Sequence, residues 1–144
     1  MKYYTPPGDK SITHRALILS ALSNGTTEIL NPCISKDTLA TADCLRKLGV
    51  GIIEERGKII VRGVGRYGLE PADEPLDCKN SATAMRLLSG VLCGQNFSSV
   101  LVGDASLMKR PMDRLAIPLR KMGANIELSG KTAPIKISPS KTHS

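Results

Sequence analysis

The stretch Gly8-Asp9-Lys10-Ser11-Ile12-Thr13-His14-Arg15 brings an ammonium, a hydroxyl and a guanidinium close together, with Arg15 about one helical turn beyond Ser11. If a helix starts here with Ser11 as its N-cap, its unpaired N–H groups and these side chains converge at one end. Aligned peptide dipoles make that end partly positive, so it attracts anions. The same residues also fit an ordinary capped helix with solvated charges. The glycines of a G-x-x-x-x-G-K-[ST] phosphate loop are missing.

Two further stretches have this character. In Lys79-Asn80-Ser81-Ala82-Thr83-Ala84-Met85-Arg86, Asn80 or Ser81 can cap a helix. The small side chains of Ala82 and Ala84 would let a ligand approach the backbone. The alternative is a capped core helix with Arg86 reaching to solvent. In Lys109-Arg110-Pro111-Met112-Asp113-Arg114, Pro111 suits a first helical position. Arg110 would then stand at the positive end of a helix, able to fork onto a phosphate or carboxylate. A basic surface turn explains those residues equally well. Asp37 opens another helical pattern as a candidate cap, and His14 is expected to be structural. No Ser-His-Asp, Cys-His or paired-carboxylate arrangement can be argued. Three helix starts of anion-binding type fit substrates that carry phosphate and carboxylate groups.

The elements that must hold these residues show an internal repeat. Arg46-Lys47-Leu48-Gly49-Val50-Gly51-Ile52 resembles Arg120-Lys121-Met122-Gly123-Ala124-Asn125-Ile126. Leu39, Ala42, Leu45 and Leu48 recur at helical spacing, as do Met112, Leu115, Leu119 and Met122. Gly49 and Gly123 stand where helix C-terminal glycines belong. Pro118 interrupts the second helix and should kink it. Ala16 to Leu22 and Ala82 to Cys93 are apolar nearly all round, which predicts buried helices. Strands are predicted at Thr26–Leu30, Ile52–Glu54, Ile59–Arg62, Ser98–Val102, Ile126–Leu128 and Ile135–Ser138. Short extended pieces at Lys2–Thr5 and Leu76–Cys78 lead into the two buried helices. Glu55-Arg56-Gly57-Lys58 and Ser129-Gly130-Lys131-Thr132 read as hairpin connections. The expected fold is therefore α/β (α+β), built of two β-α-β-α-β-β units. The first covers residues 1–63 and the second 76–144, with a Gly/Pro-rich linker over 64–75.

Composition narrows the function. The chain has 144 residues, 41% of them apolar and 23% charged, as expected of a folded domain with an aliphatic core. Its net charge of +7 favours anionic partners. Nucleic-acid binding is not expected, because aromatic residues are scarce and the basic residues are spread along the chain. No apolar run is long enough to span a membrane, and no signal-peptide core opens the chain. Cys33, Cys44, Cys78 and Cys93 form no C-x-x-C pair, so a zinc site is not expected. They read as reduced, mostly buried thiols of a cytoplasmic protein.

At these same residues the chain resembles the 5-enolpyruvylshikimate 3-phosphate synthases. Pro7-Gly8-Asp9-Lys10-Ser11-x-x-x-Arg15-Ala16-Leu17 is similar to the family's first signature. Leu76-Asp77-Cys78-x-Asn80-Ser81-x-Thr83-x-Met85-Arg86 and Gly103-Asp104-x-Ser106-Leu107-x-x-Arg110-Pro111-Met112 resemble the second and third, in the expected order. The resemblance implies transfer of enolpyruvate from phosphoenolpyruvate to the 5-hydroxyl of shikimate 3-phosphate, in the pathway to aromatic amino acids. It implies no metal and no organic cofactor. It assigns Lys10 to both substrates, with a catalytic role, and Ser11 and Arg15 to shikimate 3-phosphate. Asn80, Ala82 and Arg110 fall to phosphoenolpyruvate. The family fold has two lobes of three β-α-β-α-β-β units each.

The chain departs from that pattern in three ways. A third unit with its Ser-Ser-Gln motif and the whole opposite lobe are absent, so the isolated chain is expected to bind substrate without turnover. The missing remainder should leave apolar surface exposed. Ala82 stands where the family often has glycine, which implies a crowded pocket and resistance to glyphosate. Lys79 also stands at a family glycine. The competing readings are a fragment of a UDP-sugar enolpyruvyl transferase and a basic RNA-binding module.

Overall fold

The computed structural model describes residues 1–140. The elements run α1 (Lys10–Leu22), β1 (Asn24–Leu30), α2 (Lys36–Lys47), β2 (Gly51–Glu55), β3 (Lys58–Val64), β4 (Leu76–Asp77), α3 (Ala82–Leu92), β5 (Ser99–Val102), α4 (Asp113–Lys121), β6 (Asn125–Ser129) and β7 (Thr132–Ser138). A 3-10 turn at Leu107–Lys109 precedes α4. The mix of helix and sheet is the α+β class expected.

Two sheets form. The first has the order β1-β3-β2 and is antiparallel throughout, with Thr27 opposite Val61 and Ile52 opposite the same valine. The second has the order β4-β5-β7-β6; β4 and β5 are parallel and the other pairs antiparallel. The hairpins turn at Arg56-Gly57 and Gly130-Lys131. Gly57 and Gly130 take φ of +78° and +66°, where a side chain is strained.

Helix ends follow from local chemistry. Ser35 and Thr38 form a reciprocal capping box at the start of α2. Gly49 and Gly123, at φ +90° and +96°, follow α2 and α4. The repeated arginines do the same work in both halves. Arg46 donates to the Ile52 carbonyl at 3.2 Å, and Arg120 Nε donates to that of Ile126 at 2.9 Å. Each staples the end of a helix to the strand that follows it.

One apolar cluster spans both halves. It joins Leu17 and Ala21 of α1, Leu45 of α2, Ile52, Ile59 and Val61 of the first sheet, Met85 and Leu88 of α3, and Leu101, Ile135 and Ile137 of the second sheet. Helices α1, α2 and α3 pack on one another between the sheets. The cluster is aliphatic and dominated by leucine, as the scarcity of aromatics requires.

Several expectations are corrected. Lys2–Thr5 forms no strand; residues 1–9 have no regular structure, so the first half starts directly at α1. The helices at Ala16 to Leu22 and Ala82 to Cys93 are not buried all round. Leu19 is 68% exposed on α1, and Leu87 and Val91 of α3 are half-buried. With Arg15, Ile18 and Gly90 they line an apolar groove of about 440 Å³. Pro118 lies inside α4, as the sequence requires.

Candidate substrate site

The start of α1 differs from the sequence reading in one respect. Asp9, not Ser11, is the N-cap: its Oδ1 accepts from the Ile12 N–H at 2.7 Å, and its carbonyl accepts from Thr13 N–H and hydroxyl. Ser11 therefore sits inside the first turn, with its hydroxyl unpartnered among the described residues. An ionised Asp9 cap offsets part of the helix's positive end. Attraction of an anion then depends more on side chains than on the backbone.

Lys10 Nζ pairs with Asp37 Oδ2 at 2.9 Å across from α2. That hydrogen bond, with the carboxylate's charge, holds the lysine pKa above its ordinary value. Asp37 is not a cap, a role Ser35 fills; it is the lysine's counter-ion. Arg15 donates to the Ser11 carbonyl at 3.0 Å and has no carboxylate partner among the described residues. Arg86 and Arg110 likewise make no ion pair among the described residues.

Behind this surface, His14 is fully buried between α1 and α2. Its Nδ1 lies 2.7 Å from the Thr41 hydroxyl, and Nε2 has no partner among the described residues. Burial pushes its pKa below 6.5, against the opposing pull of Asp37. The folded imidazole is thus neutral where the unfolded one is protonated. The unfolded chain binds the extra proton, so stability falls as pH drops below about 6.5 toward the lower folded pKa. His14→Gln is expected to flatten that fall relative to the unsubstituted chain. Urea midpoints compared between about pH 7 and pH 5 check this; parallel curves would show that His14 is not the group responsible.

The start of α3 is capped as expected by Ser81, whose hydroxyl accepts from Ala84 N–H at 3.1 Å. Asn80 donates to both carboxylate oxygens of Asp104, at 3.1 and 2.9 Å. Asp104 also accepts from Leu107 N–H at 2.8 Å. The Leu107 N–H first and Asn80 second hold the Asp104 carboxyl below the usual range, with a smaller pull from Arg110. Asp104 thus connects Asn80 with the turn that precedes Arg110, a role its sequence position alone did not reveal. Ala82 is 7% exposed, so little of it reaches the surface.

Arg110 does not stand at the start of α4. It is extended and closes the 3-10 turn, while α4 begins at Asp113 with no side-chain cap. Pairing to β7 is the cause: Pro111 bridges Thr132, and Met112 N–H donates to Lys131 O at 2.7 Å. Sheet pairing therefore delays the helix by two residues.

Lys79 has φ +54°, a left-handed conformation costly for a side chain. It folds back onto Asp77, through Nζ at 2.9 Å and N–H at 2.8 Å. Burial raises the Asp77 pKa, but these two bonds outweigh it and hold the carboxyl low.

Two groups result. Lys10, Ser11 and Arg15 share the exposed start of α1, and Asn80 and Arg110 flank Asp104. Arg15 alone of the expected residues lines one of the five cavities described, the apolar groove between α1 and α3. Among the described residues no His, Cys, Asp and Glu cluster could hold a metal ion, and no helix is long and apolar enough to cross a membrane.

The family model for EPSP synthase (3-phosphoshikimate 1-carboxyvinyltransferase) matches residues 3–144. A 3-phosphoshikimate 1-carboxyvinyltransferase of Salinibacter ruber is 50% identical over 137 residues, covering 94% of this chain and 32% of its own length. One from Dichelobacter nodosus is 53% identical over 132 residues, 91% of this chain and 30% of the relative. A solved EPSP synthase from Acinetobacter baumannii superposes with a TM-score of 0.90 at 45% identity, over 94% of this chain and 31% of that one. The chain thus spans about a third of the length of these relatives.

Proposed function

The chain belongs to the EPSP synthase family, and from that premise we propose that it forms the shikimate 3-phosphate-binding part of an enolpyruvyl transferase acting in the cytoplasm. Lys10, Ser11 and Arg15 bind shikimate 3-phosphate. Lys10, Asn80, the backbone near Ala82 and Arg110 receive phosphoenolpyruvate, with Arg110 gripping an anionic group. The complete enzyme moves the enolpyruvyl group to the 5-hydroxyl, and Lys10 stabilises charge that develops in the transition state. The Ala82 methyl narrows the pocket against glyphosate.

The observation that carries this reading is the cationic surface at the start of α1. Among the described residues Arg15 has no carboxylate partner and the Ser11 hydroxyl is unpartnered, and Lys10 is held by one half-buried carboxylate. The two halves, residues 1–63 and 76–144, are assigned as consecutive repeat units of one lobe joined by residues 64–75. The groove between α1 and α3 is assigned to contact with the remainder of the enzyme. Without that remainder the chain binds substrate but does not turn over.

Titrating shikimate 3-phosphate into the 144-residue chain tests the assignment through backbone amide shifts. Saturable shifts centred on Lys10, Ser11 and Arg15 are expected. A response to a UDP-sugar in its place would indicate the other transferase. A response to RNA that collapses steeply with salt would indicate a nucleic-acid module. Silence at α1 under all three would remove the proposed site.

A further inference from the structure

Asp104 is assigned to no substrate above, yet the segments that carry Asn80 and Arg110 meet on it. Both of its carboxylate oxygens accept from Asn80 Nδ2, at 3.1 and 2.9 Å, and Oδ1 also accepts from Leu107 N–H at 2.8 Å. Its backbone reaches the same two segments. Asp104 N–H donates to the Lys79 carbonyl at 2.8 Å, next to Asn80, and the Asp104 carbonyl accepts from Met108 N–H at 2.9 Å. Arg110 N–H in turn donates to the Leu107 carbonyl at 3.0 Å, so Asp104 holds the start of the turn that Arg110 closes. Close packing keeps the segments together. A methyl at Gly103 would fall on the Leu107 side chain and 2.8 Å from the Lys79 carbonyl oxygen. Leu107 and Met112, on either side of Arg110, are fully buried. Arg110 is thus an exposed cation on a segment pinned at both ends.

We propose that Asp104 is a positioning residue for phosphoenolpyruvate: it holds Asn80 and Arg110 at one fixed spacing and acts through them. This rests on the assignment of Asn80 and Arg110 to that substrate. Two groups grip one anion best when their separation is set beforehand, because no side chain or turn then has to be ordered on binding. Arg110 on a free turn would lose that advantage. The carboxylate's own charge is offset by the Asn80 and Leu107 N–H groups bonded to it. The start of α1 shares none of these bonds, so the binding of shikimate 3-phosphate by Lys10, Ser11 and Arg15 is expected to be independent of Asp104.

Two variants separate the bonds. Asp104→Asn keeps an oxygen for Leu107 N–H but sets one amide N–H₂ against another at Asn80, whereas Asp104→Ala removes both connections. In the 144-residue chain, the Asn80 side-chain amide resonances are expected to move in both variants. The Leu107 and Arg110 backbone amides are expected to exchange faster in Asp104→Ala alone. In a complete enzyme, made by joining this chain to the rest of a relative, KM for phosphoenolpyruvate is expected to rise about tenfold in Asp104→Ala. Asp104→Asn should raise it less, Asp104→Glu should recover part of the loss, and KM for shikimate 3-phosphate should stay unchanged in all three. Both KM values rising together with a lowered melting temperature would show general loosening and overturn the proposal. Arg110→Gln is the reference. If it raises KM for phosphoenolpyruvate while the Asp104 variants do not, the positioning role falls and the proposed function stands. If Arg110→Gln also leaves that KM unchanged, the assignment of Arg110 falls and the positioning role with it. Unmoved Asn80 resonances in Asp104→Asn would overturn the proposal in the 144-residue chain alone, whatever the activity of the joined enzyme.

Discussion

Gly63→Ala is expected to destabilise the chain by about 3 kcal/mol, at the upper end of the penalty for overpacking. Gly63 lies in β3, opposite Gly25 of β1, where both strands run past the end of α1. A methyl there would fall on the Ser23 carbonyl, 2.5 Å from Ser20 O and 2.9 Å from Ser23 C. All of these are backbone atoms, and none can rotate away as a side chain can. Relief requires β3 to separate from the α1–β1 corner, at the cost of the pairing that organises the first sheet. Thermal unfolding should show a midpoint lowered by about 10 °C. Gly57→Ala is the control, since a methyl there meets nothing within 4 Å and only its left-handed backbone resists. Equal midpoints for the two variants would mean that the close approach at Gly63 relaxes easily.

The second large effect is catalytic and rests on the proposed function. Lys10→Met is expected to lower kcat/KM by about 10²–10³-fold, the usual result of removing a group that stabilises transition-state charge. The measurement needs a complete enzyme, obtained by joining this chain to the remaining two thirds or so of a relative. The fold should be unaffected, because Lys10 is exposed and its one ion pair is an exposed one. A variant with an unchanged melting curve and lost activity fits the role. A variant with full activity removes Lys10 from the mechanism.

The sequence made the secondary structure legible where the pattern was strong and local. Gly49, Gly123 and the two hairpin turns punctuate the chain at glycines with positive φ, and the strands fall within two or three residues of expectation. It was least legible where long-range pairing decides. The start of α4 moved because Pro111 and Met112 pair with β7, whose turn lies some twenty residues later in the chain. Residue type alone does not choose Asp9 over Ser11 as the cap of α1, because Ser and Asp are about equally good caps. The absent strand at Lys2–Thr5 has no pairing partner among the described residues. Of the site, the cationic residues and Asn80 are visible as types, but the carboxylates they bond to are not. Asp37 and Asp104 are distant in sequence from Lys10 and Asn80, and no periodicity links them. Lys79 at φ +54° holds a left-handed backbone that glycine would adopt without strain.

The pairing of Lys10 with Asp37 makes the ammonium self-quenched at rest. A visiting anion has to out-compete a carboxylate that is already in place and costs nothing to recruit. Chloride or a lone carboxylate brings one charge and replaces like with like. A phosphate dianion brings more charge and more acceptor oxygens, and in the proposed site it engages Arg15 as well. The internal rival therefore sets a threshold in charge density, sorting solutes before the contours of any sugar or ring are felt.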